Sequence, residues 1–530
     1  MAFVPTRSLK NHHQSSHSLM SSTRRTQRLI MLAAVLLSSS TQVGAYSFHM
    51  NKSKLWMLLP KSRSTTRLSS SSLSTTSSAD SSANAPTSNT APGFAKVILK
   101  RNRQSKAFRD GSQLVFSGSM GKTVGSPGMG SLVQVEVPVS ADAKNDQTQV
   151  IGWGVYNPSS MYRVRILCHS QIKPLLSKDI KKMVLGDTNG SPDQAVSDVL
   201  RSIVFDNLRN AVKVRQAIGL PSPETDTYRL VNGEGDGLSG LAVDVIGGKV
   251  AVVMSSAAWT EVHKGLLVEV IQDILPGLEV IWKTTASRLK QDGYEIADDN
   301  THLDSSSRDE PVVALENGIK YETFPFQDGQ KTGVYCDQRD NRFDLAKQCI
   351  GKNVLDLCCY HGGFSLNAAS VGATAVVGLD SSQDAIDACK ANAALNKLGN
   401  TQFIRSDIAE YMRACKDEFD VVVLDPPKLA PSASGLQRAS RKYHSLNRDA
   451  IKLVSDKGGL LMTCTCSAAM TQKDGGKFFL QTVQQASLSA QREVTLLRVS
   501  GAAPCHTQSP VSFPAGNYLT AALFYVHPRN

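Results

Sequence analysis

One stretch, residues 353–364, constrains the fold of this chain more than any other. It reads N-V-L-D-L-C-C-Y-H-G-G-F, a short apolar run around Asp356 followed by Gly362 and Gly363 and then by a helix-like pattern. A buried strand, a glycine turn and a helix in that order open a doubly wound α/β sheet. The glycines let the backbone approach a ligand over the helix N-terminus. Because the full G-x-G-x-x-G spacing is absent, an α/β turn that binds no nucleotide is the alternative at this point.

Four later segments predict further strands of the same sheet. They cover residues 375–379, 401–406, 419–424 and 459–464. Polar side chains follow them, in order Asp380, Asp407, Asp425 and Cys466. Ligands of open α/β sheets bind beyond the carboxyl ends of the strands, where a carboxylate such as Asp380 holds a ribose hydroxyl. These polar ends favour a nucleotide-like ligand over an empty turn.

Several motifs give the second half of the chain a family resemblance. It contains G-Q-K-T-G-V-Y-C-D-Q-R-D-N-R at residues 329–342, Y-H-G-G-F at 360–364, D-P-P-K at 425–428 and T-C-T-C-S at 463–467. From residue 329 onward the chain resembles the AdoMet-dependent methyltransferases that make 5-methylcytosine in large-subunit ribosomal RNA. The first and last motifs are specific to that family, whereas D-P-P-K also fits other methyltransferases.

This resemblance implies a fold, a cofactor and a set of binding residues. It implies a Rossmann-like, doubly wound methyltransferase domain over residues 316–530, with S-adenosyl-L-methionine (AdoMet) as its cofactor. The residues that it assigns to the cofactor pocket are Asp356, Tyr360, Gly362, Gly363, Phe364, Asp380, Asp407 and Asp425. Lys331 and Arg339 are assigned to substrate or cofactor. An ion pair with Asp337 or Asp340 is the alternative for Arg339.

The family's chemistry also implies the reacting groups. Because cytosine C5 is a weak nucleophile, a thiolate must first add at C6, after which C5 can take a methyl group and lose its proton. Cys466 stands where the family carries this nucleophile. Cys464 stands where the family more often has phenylalanine, and we expect it to pack in the core. Asp425 is assigned to the cytosine edge or the cofactor amine, and Lys428 to a phosphate or a base.

The cysteines as a group indicate reduced thiols. The ten of them are spread over residues 168–505 without a Cys-x-x-Cys pair, so no metal site is predicted. In the turn, the family commonly has Phe, Ser and Thr where this chain has Cys358, Cys359 and His361. We expect the smaller Cys358 to loosen the adenosine pocket and interpret His361 as a turn residue rather than a base.

A small β-barrel is predicted over residues 93–170. Its short segments alternate apolar and polar positions and are separated by turn signals. L-V-F-S-G at 114–118 and G-V-Y-N-P-S-S at 154–160 resemble the PUA domain that opens this family. The family's His-Pro-Trp is here Ser112-Gln113-Leu114, a departure that bears on local RNA contacts more than on the fold.

A central α+β domain is predicted over residues 175–315. It combines helical periodicity over residues 195–218 and 259–274 with several short strands. Its G-E-G-D-G run, residues 233–237, lacks a Walker lysine and is interpreted as a hairpin turn rather than a phosphate loop. The acidic, serine-rich residues 298–309 are predicted to form a loop before the catalytic domain.

The net charge of +12 is concentrated ahead of the catalytic half. Residues 1–93 carry +9 and residues 94–168 carry +6, whereas the remainder carries −3. Two groups of cations are predicted to contact RNA phosphates. They are Lys100, Arg101 and Arg103, and then Arg438, Arg441 and Lys442. A solvated basic surface is the alternative for each group.

Residues 1–92 are interpreted as a targeting leader. The apolar run at 29–37 is too short to span a bilayer but fits a signal-peptide core, and a serine-rich, acid-poor segment follows it. This arrangement resembles the two-part leader of algae with secondary plastids and predicts import into the plastid. Secretion and mitochondrial import are the alternatives. No membrane span is expected in the mature form.

The leading hypothesis is an RNA cytosine-5 methyltransferase that acts on plastid large-subunit ribosomal RNA. A methyltransferase of the same fold that modifies guanine N7 or another base is the second, and it would not need Cys466. An RNA-binding assembly factor without catalysis is the third. The sequence leaves the target nucleotide undetermined and a homodimer open.

Overall fold

A computed structural model of the protein describes residues 95–101, 104–139, 147–185, 192–296, 310–327, 334–430 and 432–529. The predicted leader at 1–92 and the predicted loop at 298–309 lie outside these residues, as do Arg103 and Lys331. Among the helices that the structure describes, none has the length and apolar character needed to cross a bilayer.

The N-terminal sheet has six strands and a short helix. Its elements are β1 (Lys96–Leu99), α1 (Gln104–Arg109), β2 (Leu114–Phe116), β3 (Met120–Val124), β4 (Leu132–Pro138), β5 (Thr148–Tyr156) and β6 (Tyr162–His169). The strand order is β2-β6-β5-β4-β1-β3, in which β1 and β4 run parallel and the other neighbours antiparallel. Apolar side chains from α1 and the strands meet in one cluster, as in a sheet curled around its own core. Strand β3 was not predicted, because its side chains are mostly exposed and lack an apolar alternation.

The central domain packs helices against a four-stranded sheet. Its elements are α2 (Pro174–Leu185), α3 (Pro192–Ala217), β7 (Tyr228–Asn232), β8 (Leu241–Ile246), β9 (Val250–Ser255), α4 (Ala258–Val262), α5 (Lys264–Ile274), β10 (Glu279–Thr284) and α6 (Ala286–Gln291). The strand order is β10-β9-β8-β7. Strands β7 and β8 are antiparallel, and the turn Gly233–Asp236 joins them, which confirms the predicted hairpin turn.

The single helix predicted over residues 259–274 is wrong in one respect. His263, with φ −109° and ψ 25°, interrupts it and separates α4 from α5. A ring nitrogen of His263 lies 2.8 Å from the carbonyl oxygen of Gly130, in the N-terminal domain. Helical periodicity continues across this position, so only the contact between domains reveals the break.

A hairpin leads into the catalytic domain. It consists of β11 (Val312–Glu316) and β12 (Ile319–Thr323), which pair antiparallel around Asn317 and Gly318. Both turn residues have positive φ, 53° and 80°. Side chains of the hairpin share one buried cluster with the central sheet and with the catalytic domain.

The catalytic domain is a doubly wound sheet with helices on its faces. Its strands are β13 (Asn353–Leu357), β14 (Ala375–Asp380), β15 (Thr401–Arg405), β16 (Val421–Leu424), β17 (Gly459–Thr465), β18 (Val494–Ser500) and β19 (Thr520–Val526). Its helices are α7 (Arg339–Ala346), α8 (Gly363–Ser370), α9 (Gln383–Leu395), α10 (Ile408–Ala414), α11 (Leu436–Lys452), α12 (Ala468–Gln472) and α13 (Lys477–Ala490). The strand order is β15-β14-β13-β16-β17-β19-β18, and the five predicted strands are the parallel ones.

The last two strands are not among the predicted ones. Strand β19 inserts between β17 and β18 and is antiparallel to both. Its T-A-A-L-F-Y-V run is continuously apolar, a pattern that does not separate a buried strand from a buried helix. The β18 side chains are mostly exposed or half-buried, so that its periodicity is weak.

A buried ion pair fixes the N-terminal sheet against the central domain. The guanidinium of Arg165, on β6, donates to Asp292 Oδ1 at 3.2 Å and to Ser239 Oγ at 2.7 Å. All three residues are buried. Trp153 and Leu167 of the N-terminal sheet also belong to the central domain's core cluster. The two domains therefore share one core.

Candidate active site

The parallel register brings the polar strand ends together. Leu357, at the end of β13, pairs with Leu379 of β14 and Leu424 of β16, and Leu424 pairs with Thr463 of β17. Asp380, Asp425 and Cys466 follow these positions by one to three residues. They therefore lie along one carboxyl edge of the sheet, as the sequence predicted.

The turn after β13 is strained and held in place. Cys358 and Tyr360 have positive φ, 67° and 50°, although neither is glycine. Each such conformation costs about 1–3 kcal/mol and persists only where the surrounding structure imposes it. Here the Tyr360 N–H donates to Asp380 Oδ2 at 3.1 Å, and the Cys389 thiol donates to the Tyr360 carbonyl at 2.9 Å. Strained backbone of this kind clusters at ligand-binding sites.

Helix α8 begins directly after this turn at the two glycines. Gly362 caps the helix with φ 84°, a conformation that disfavours other residues. A Cβ atom on Gly363 would lie 2.6 Å from Nε of Arg342, so this position admits no side chain. Phe364 follows and is buried. The two glycines thus let α8 and Arg342 approach closely beneath the turn.

Asp356 has one carboxylate oxygen without a partner. The side chain is 1% exposed. Its Oδ2 accepts hydrogen bonds from the Ser365 backbone N–H at 3.0 Å and hydroxyl at 2.7 Å, while Oδ1 is buried and has no partner among the described residues. Burial raises the pKa of Asp356 to about 6, against the hydrogen bonds from Ser365. Because an unpaired buried acceptor is costly, this oxygen fits a donor on a ligand such as the cofactor's amino group.

Asp380 and Asp407 differ in their surroundings. Asp380 is half-buried, and its Oδ1 accepts from the Ser382 N–H at 3.0 Å. Asp407 is exposed and caps α10 through hydrogen bonds from Ala409 N at 2.8 Å and Glu410 N at 3.0 Å. The capping role of Asp407 was missed in the sequence, and its contact with the cofactor stays a prediction.

Aromatic rings stand beside the turn. The Tyr360 ring stacks on His361 with centroids 3.8 Å apart, and Tyr335 meets it edge-on at 4.9 Å. Burial, together with the nearby Arg342 charge, lowers the pKa of His361 to about 4. His361 is therefore neutral at pH 7, in keeping with its interpretation as a turn residue.

A chain of hydrogen bonds orients Asp425. Gln338 Nε2 donates to Asp425 Oδ2 at 3.0 Å, and Asn341 Nδ2 donates to Gln338 Oε1 at 2.7 Å. Ser500 Oγ donates to Asn341 Oδ1 at 2.6 Å. Burial, and then the charge of Asp337, raise the pKa of Asp425 to about 7. Gln338 and Asn341 lie within the residue 329–342 motif, but nothing in their spacing identified them as partners of Asp425.

The two cysteines after D-P-P-K differ in exposure. Cys464 lies within β17 and is fully buried, as predicted, and burial raises its pKa well above the usual value. Cys466 lies just past the strand and is half-buried. Burial raises the pKa of Tyr335 and of Tyr443, and Cys466 and Asp425 add to both shifts. The Cys466 thiol and the Asp425 carboxylate thus both lie near Tyr335 and Tyr443.

Hydrogen bonds fix the residues on both sides of Cys466. Thr465 Oγ1 lies 2.8 Å from the Tyr443 hydroxyl, and the Ser467 hydroxyl donates to the Ala430 carbonyl. Thr465 and Ser467 are buried, so the half-buried Cys466 is the side chain of this segment that can meet a substrate.

The predicted cationic contacts fall into two groups. Arg339 is buried and donates to Asp340 Oδ1 at 3.0 Å and to the Cys505 sulfur at 3.4 Å, so the ion-pair alternative is the arrangement observed. A contact of Arg339 with a ligand stays a prediction. Four further predicted cations of the methyltransferase domain are exposed at the surface. They are Lys428, on the loop after β16, and Arg438, Arg441 and Lys442, on α11.

In the part of the chain that the structure describes, no group of three or more His, Cys, Asp or Glu side chains is placed to hold a metal ion.

Replacing Asp425 by asparagine should stabilise the protein at high pH. The folded pKa of about 7 lies above the ordinary 3.8. Between these values the folded protein keeps a proton that the unfolded chain has lost, so the free energy of unfolding falls as pH rises through this window. In Asp425→Asn, the amide oxygen still accepts from Gln338 but carries no charge. The melting temperature should exceed that of the unaltered protein by at least about 2 °C at pH 8. This difference in melting temperature should vanish at pH 4. An equal difference at pH 4 and pH 8 would contradict the raised pKa of Asp425.

Comparison with known proteins identifies the two end domains. Residues 97–169 match the family described as a PUA-like domain, and residues 350–501 match one described as a methyltransferase domain. A structure described as a methyltransferase complexed with SAH aligns with a TM-score of 0.61 at 20% identity, covering 81% of this chain and 99% of the other. This likeness confirms the Rossmann-like α/β fold.

Two relatives carry the same name, "Ribosomal RNA large subunit methyltransferase I". The protein from Shigella boydii is 30% identical over 434 residues, 80% of this chain and 97% of its own length. The protein from Aeromonas hydrophila is 36% identical over 297 residues, 55% of this chain and 72% of its own. The chain therefore belongs to the ribosomal RNA large subunit methyltransferase I family, whose methyltransferase domain uses S-adenosyl-L-methionine as its cofactor.

Proposed function

We propose that this chain forms 5-methylcytosine in large-subunit ribosomal RNA through a covalent bond from Cys466 to cytosine. The observation that carries the proposal is a half-buried thiol, Cys466, at the carboxyl edge of the sheet, where Asp425 directly follows the neighbouring strand β16. The name of the relatives gives their substrate, and the PUA-like domain supports an RNA substrate for this chain.

The residues divide the work between cofactor and base. Asp356, with its unpaired Oδ1, and Asp380 would hold the cofactor, together with the turn from Tyr360 to Gly363 and Phe364 behind it. When bound, AdoMet supplies an electrophilic methyl group. The strained turn and the carboxylates would orient the cofactor so that its methyl group points toward the base held by Cys466.

Cys466 and Asp425 act on the base. The Cys466 thiolate forms a bond to C6, and electron density then collects at N3 and makes C5 nucleophilic. Asp425, whose pKa is about 7, is partly protonated at neutral pH and can donate its proton to N3 during this attack. After methylation, a general base takes the C5 proton, the C6–sulfur bond breaks so that its electron pair leaves with the Cys466 thiolate, and N3 returns its proton to the Asp425 carboxylate. Lys428, exposed three residues after Asp425, would contact the flanking phosphate or base.

Nucleoside mass spectrometry tests the proposal. Large-subunit ribosomal RNA is incubated with the purified protein and isotope-labelled AdoMet, and is then digested to nucleosides. The label should appear in 5-methylcytidine. Label in 7-methylguanosine or another nucleoside would show that the protein methylates that base instead of cytosine. Absence of label in a protein that binds AdoMet would favour the non-catalytic assembly factor.

Neutralising Lys100, Arg101 and Arg103 should weaken RNA binding. Lys100 and Arg101 are exposed, whereas Arg103 lies outside the described residues. If the three contact phosphates, the slope of log affinity against log salt should fall by up to about three, or one per contact. AdoMet affinity should not change, since the run is not part of the catalytic domain. Titrations at several salt concentrations measure this; an unchanged slope would mean that the cations are only solvated.

We also propose that the leader directs the protein to the plastid. Residues 1–67 fused to a fluorescent reporter should carry it into the organelle of an alga with a secondary plastid. Deleting residues 29–37 removes the apolar core and should leave the reporter in the cytosol. Secretion of the intact fusion would contradict the proposal.

A further inference from the structure

An aromatic pair with one exposed ring lies on the N-terminal sheet, outside the methyltransferase domain. Phe116, the last residue of β2, is 43% exposed and pairs with Tyr162, the first residue of β6. Their ring centroids are 5.1 Å apart and the planes are tilted by 58°. Met161, beside them, is 61% exposed. A contiguous exposed apolar patch indicates an interaction site more strongly than scattered apolar residues do.

Contacts beneath the pair hold it rigid. The Arg165 guanidinium carbon lies 5.1 Å from the centroid of the Tyr162 ring. Arg165 is itself held by its buried ion pair with Asp292 and its hydrogen bond to Ser239. Arg165 thereby holds the Tyr162 ring in place, and the Phe116 ring packs against Tyr162. A ligand that stacks on Phe116 would need to order little of the protein, which favours binding.

A short turn connects the aromatic pair to an exposed cation. The Lys100 N–H donates to the Ser119 carbonyl at 2.9 Å, and the Ser117 N–H donates to the Met161 carbonyl at 2.8 Å. The turn Ser117–Ser119 therefore joins the exposed Lys100 to the aromatic patch. A Cβ atom on Gly118, in the middle of this turn, would meet no atom within 4 Å in the part of the chain that the structure describes.

We propose that Phe116 and Tyr162 form a stacking platform for an unpaired base of RNA, with Lys100 and Arg101 placed for the neighbouring phosphates. Aromatic rings alone would suit many apolar partners, and cations alone would suit any polyanion. The combination on one surface is what single-stranded nucleic acid requires, because its bases stack and its backbone is negatively charged. This inference rests on the proposed function, in which RNA is the substrate, and adds an anchoring site outside the methyl-transfer chemistry.

Stacking and charge can be separated by their salt dependence. The full chain is titrated against a fluorescein-labelled, short single-stranded RNA oligonucleotide and followed by anisotropy at several salt concentrations. Phe116→Ala should weaken binding by about tenfold, because one stacked base is lost. The salt slope should stay unchanged, because no charge is removed. Phe116→Tyr keeps an aromatic face and should restore the affinity.

Two variants serve as matched controls. Phe205→Ala removes a phenylalanine of similar exposure, 38%, from helix α3 and should leave binding unchanged. Lys100→Ala should lower the salt slope by about one instead of leaving it constant. A fully paired duplex of the same sequence presents no free base, so Phe116→Ala should bind it like the unaltered protein.

Three results would overturn the platform. The first is unchanged binding of single-stranded RNA by Phe116→Ala. The second is an equal loss of affinity of Phe116→Ala for the duplex. The third is a dimer of the unaltered protein that Phe116→Ala converts to a monomer in sedimentation, which would assign the patch to a second copy of the chain. Failure of the proposed function is distinguishable, because the unaltered protein would then still bind the RNA, with the loss in Phe116→Ala, but would place no label in 5-methylcytidine. Binding that persists without Phe116 rejects the platform and leaves the methylation proposal standing.

Discussion

Cys466→Ala is expected to lose RNA methylation by at least about a thousandfold, as loss of a covalent nucleophile does in other enzymes. Cys466 is the half-buried thiol at the site edge, whereas Cys464 is fully buried within β17. Cofactor affinity should stay nearly unchanged, because the thiol acts on the base. Transfer of label from AdoMet to RNA and calorimetry of AdoMet binding measure the two effects separately.

A trapped adduct gives the same prediction a direct readout. RNA with 5-fluorocytosine at the target should form a gel-stable complex with the protein in an AdoMet-dependent way, because fluorine at C5 cannot leave as a proton does. Cys466→Ala should form no such complex. Cys464→Ala is the matched control and should keep both adduct and activity, although its cavity will lower stability. Methylation that survives in Cys466→Ala would indicate ring-nitrogen chemistry, and loss of activity in Cys464→Ala alone would place the nucleophile two residues earlier.

Asp380→Ala should weaken AdoMet binding by about 2–3 kcal/mol, or roughly 30- to 150-fold, as the loss of charged hydrogen bonds does. The Asp380 carboxylate already accepts the N–H groups of Tyr360 and Ser382, one on each oxygen. Each oxygen keeps a second acceptor site for a ribose hydroxyl. Alanine would remove the ribose contact and also release the strained turn at Tyr360. Calorimetry of the purified variant measures the loss.

Two further variants separate these contributions. Asp380→Asn keeps one acceptor oxygen without the charge and should fall between alanine and the unaltered protein. Asp407→Ala removes the cap of α10 and should lower stability, with a smaller effect on AdoMet, because Asp407 is exposed and already engaged by Ala409 and Glu410. If Asp380→Ala folds and binds AdoMet normally, the ribose is held elsewhere.

The fold was predictable where burial left a simple pattern. The five parallel strands of the catalytic sheet contain short apolar segments, four of the strands end at or shortly before Asp380, Asp407, Asp425 or Cys466, and all five were predicted. Strand β3, with its exposed side chains, and strand β19, with its continuous apolar run, lack a pattern that sequence periodicity can read. The break at His263 was missed for a different reason, because the helical periodicity continues across it and its contact with Gly130 of another domain is visible only in the structure.

The candidate site divides in a similar way. Residues with a chemical role or a motif position, such as Cys466, Asp425 and Gly363, could be named in advance. Gln338 and Asn341 could not be connected with Asp425, because 87 residues separate Gln338 from that carboxylate in the chain. The sequence motif assigns Arg339 to a substrate or cofactor. In the structure its guanidinium donates to the sulfur of Cys505, which is 166 residues away in the chain.

The sequence by itself determined which groups are present and in which order along the sheet they occur, because strand, turn and carboxylate follow one another locally. Only the tertiary structure decided which oxygen of Asp356 has no partner among the described residues, why Asp425 has a pKa of about 7, and that Phe116 is exposed and packs against Tyr162. These properties depend on burial and on charges brought together from distant segments. Desolvation and Coulomb interactions act through space, so no local pattern in the chain encodes them.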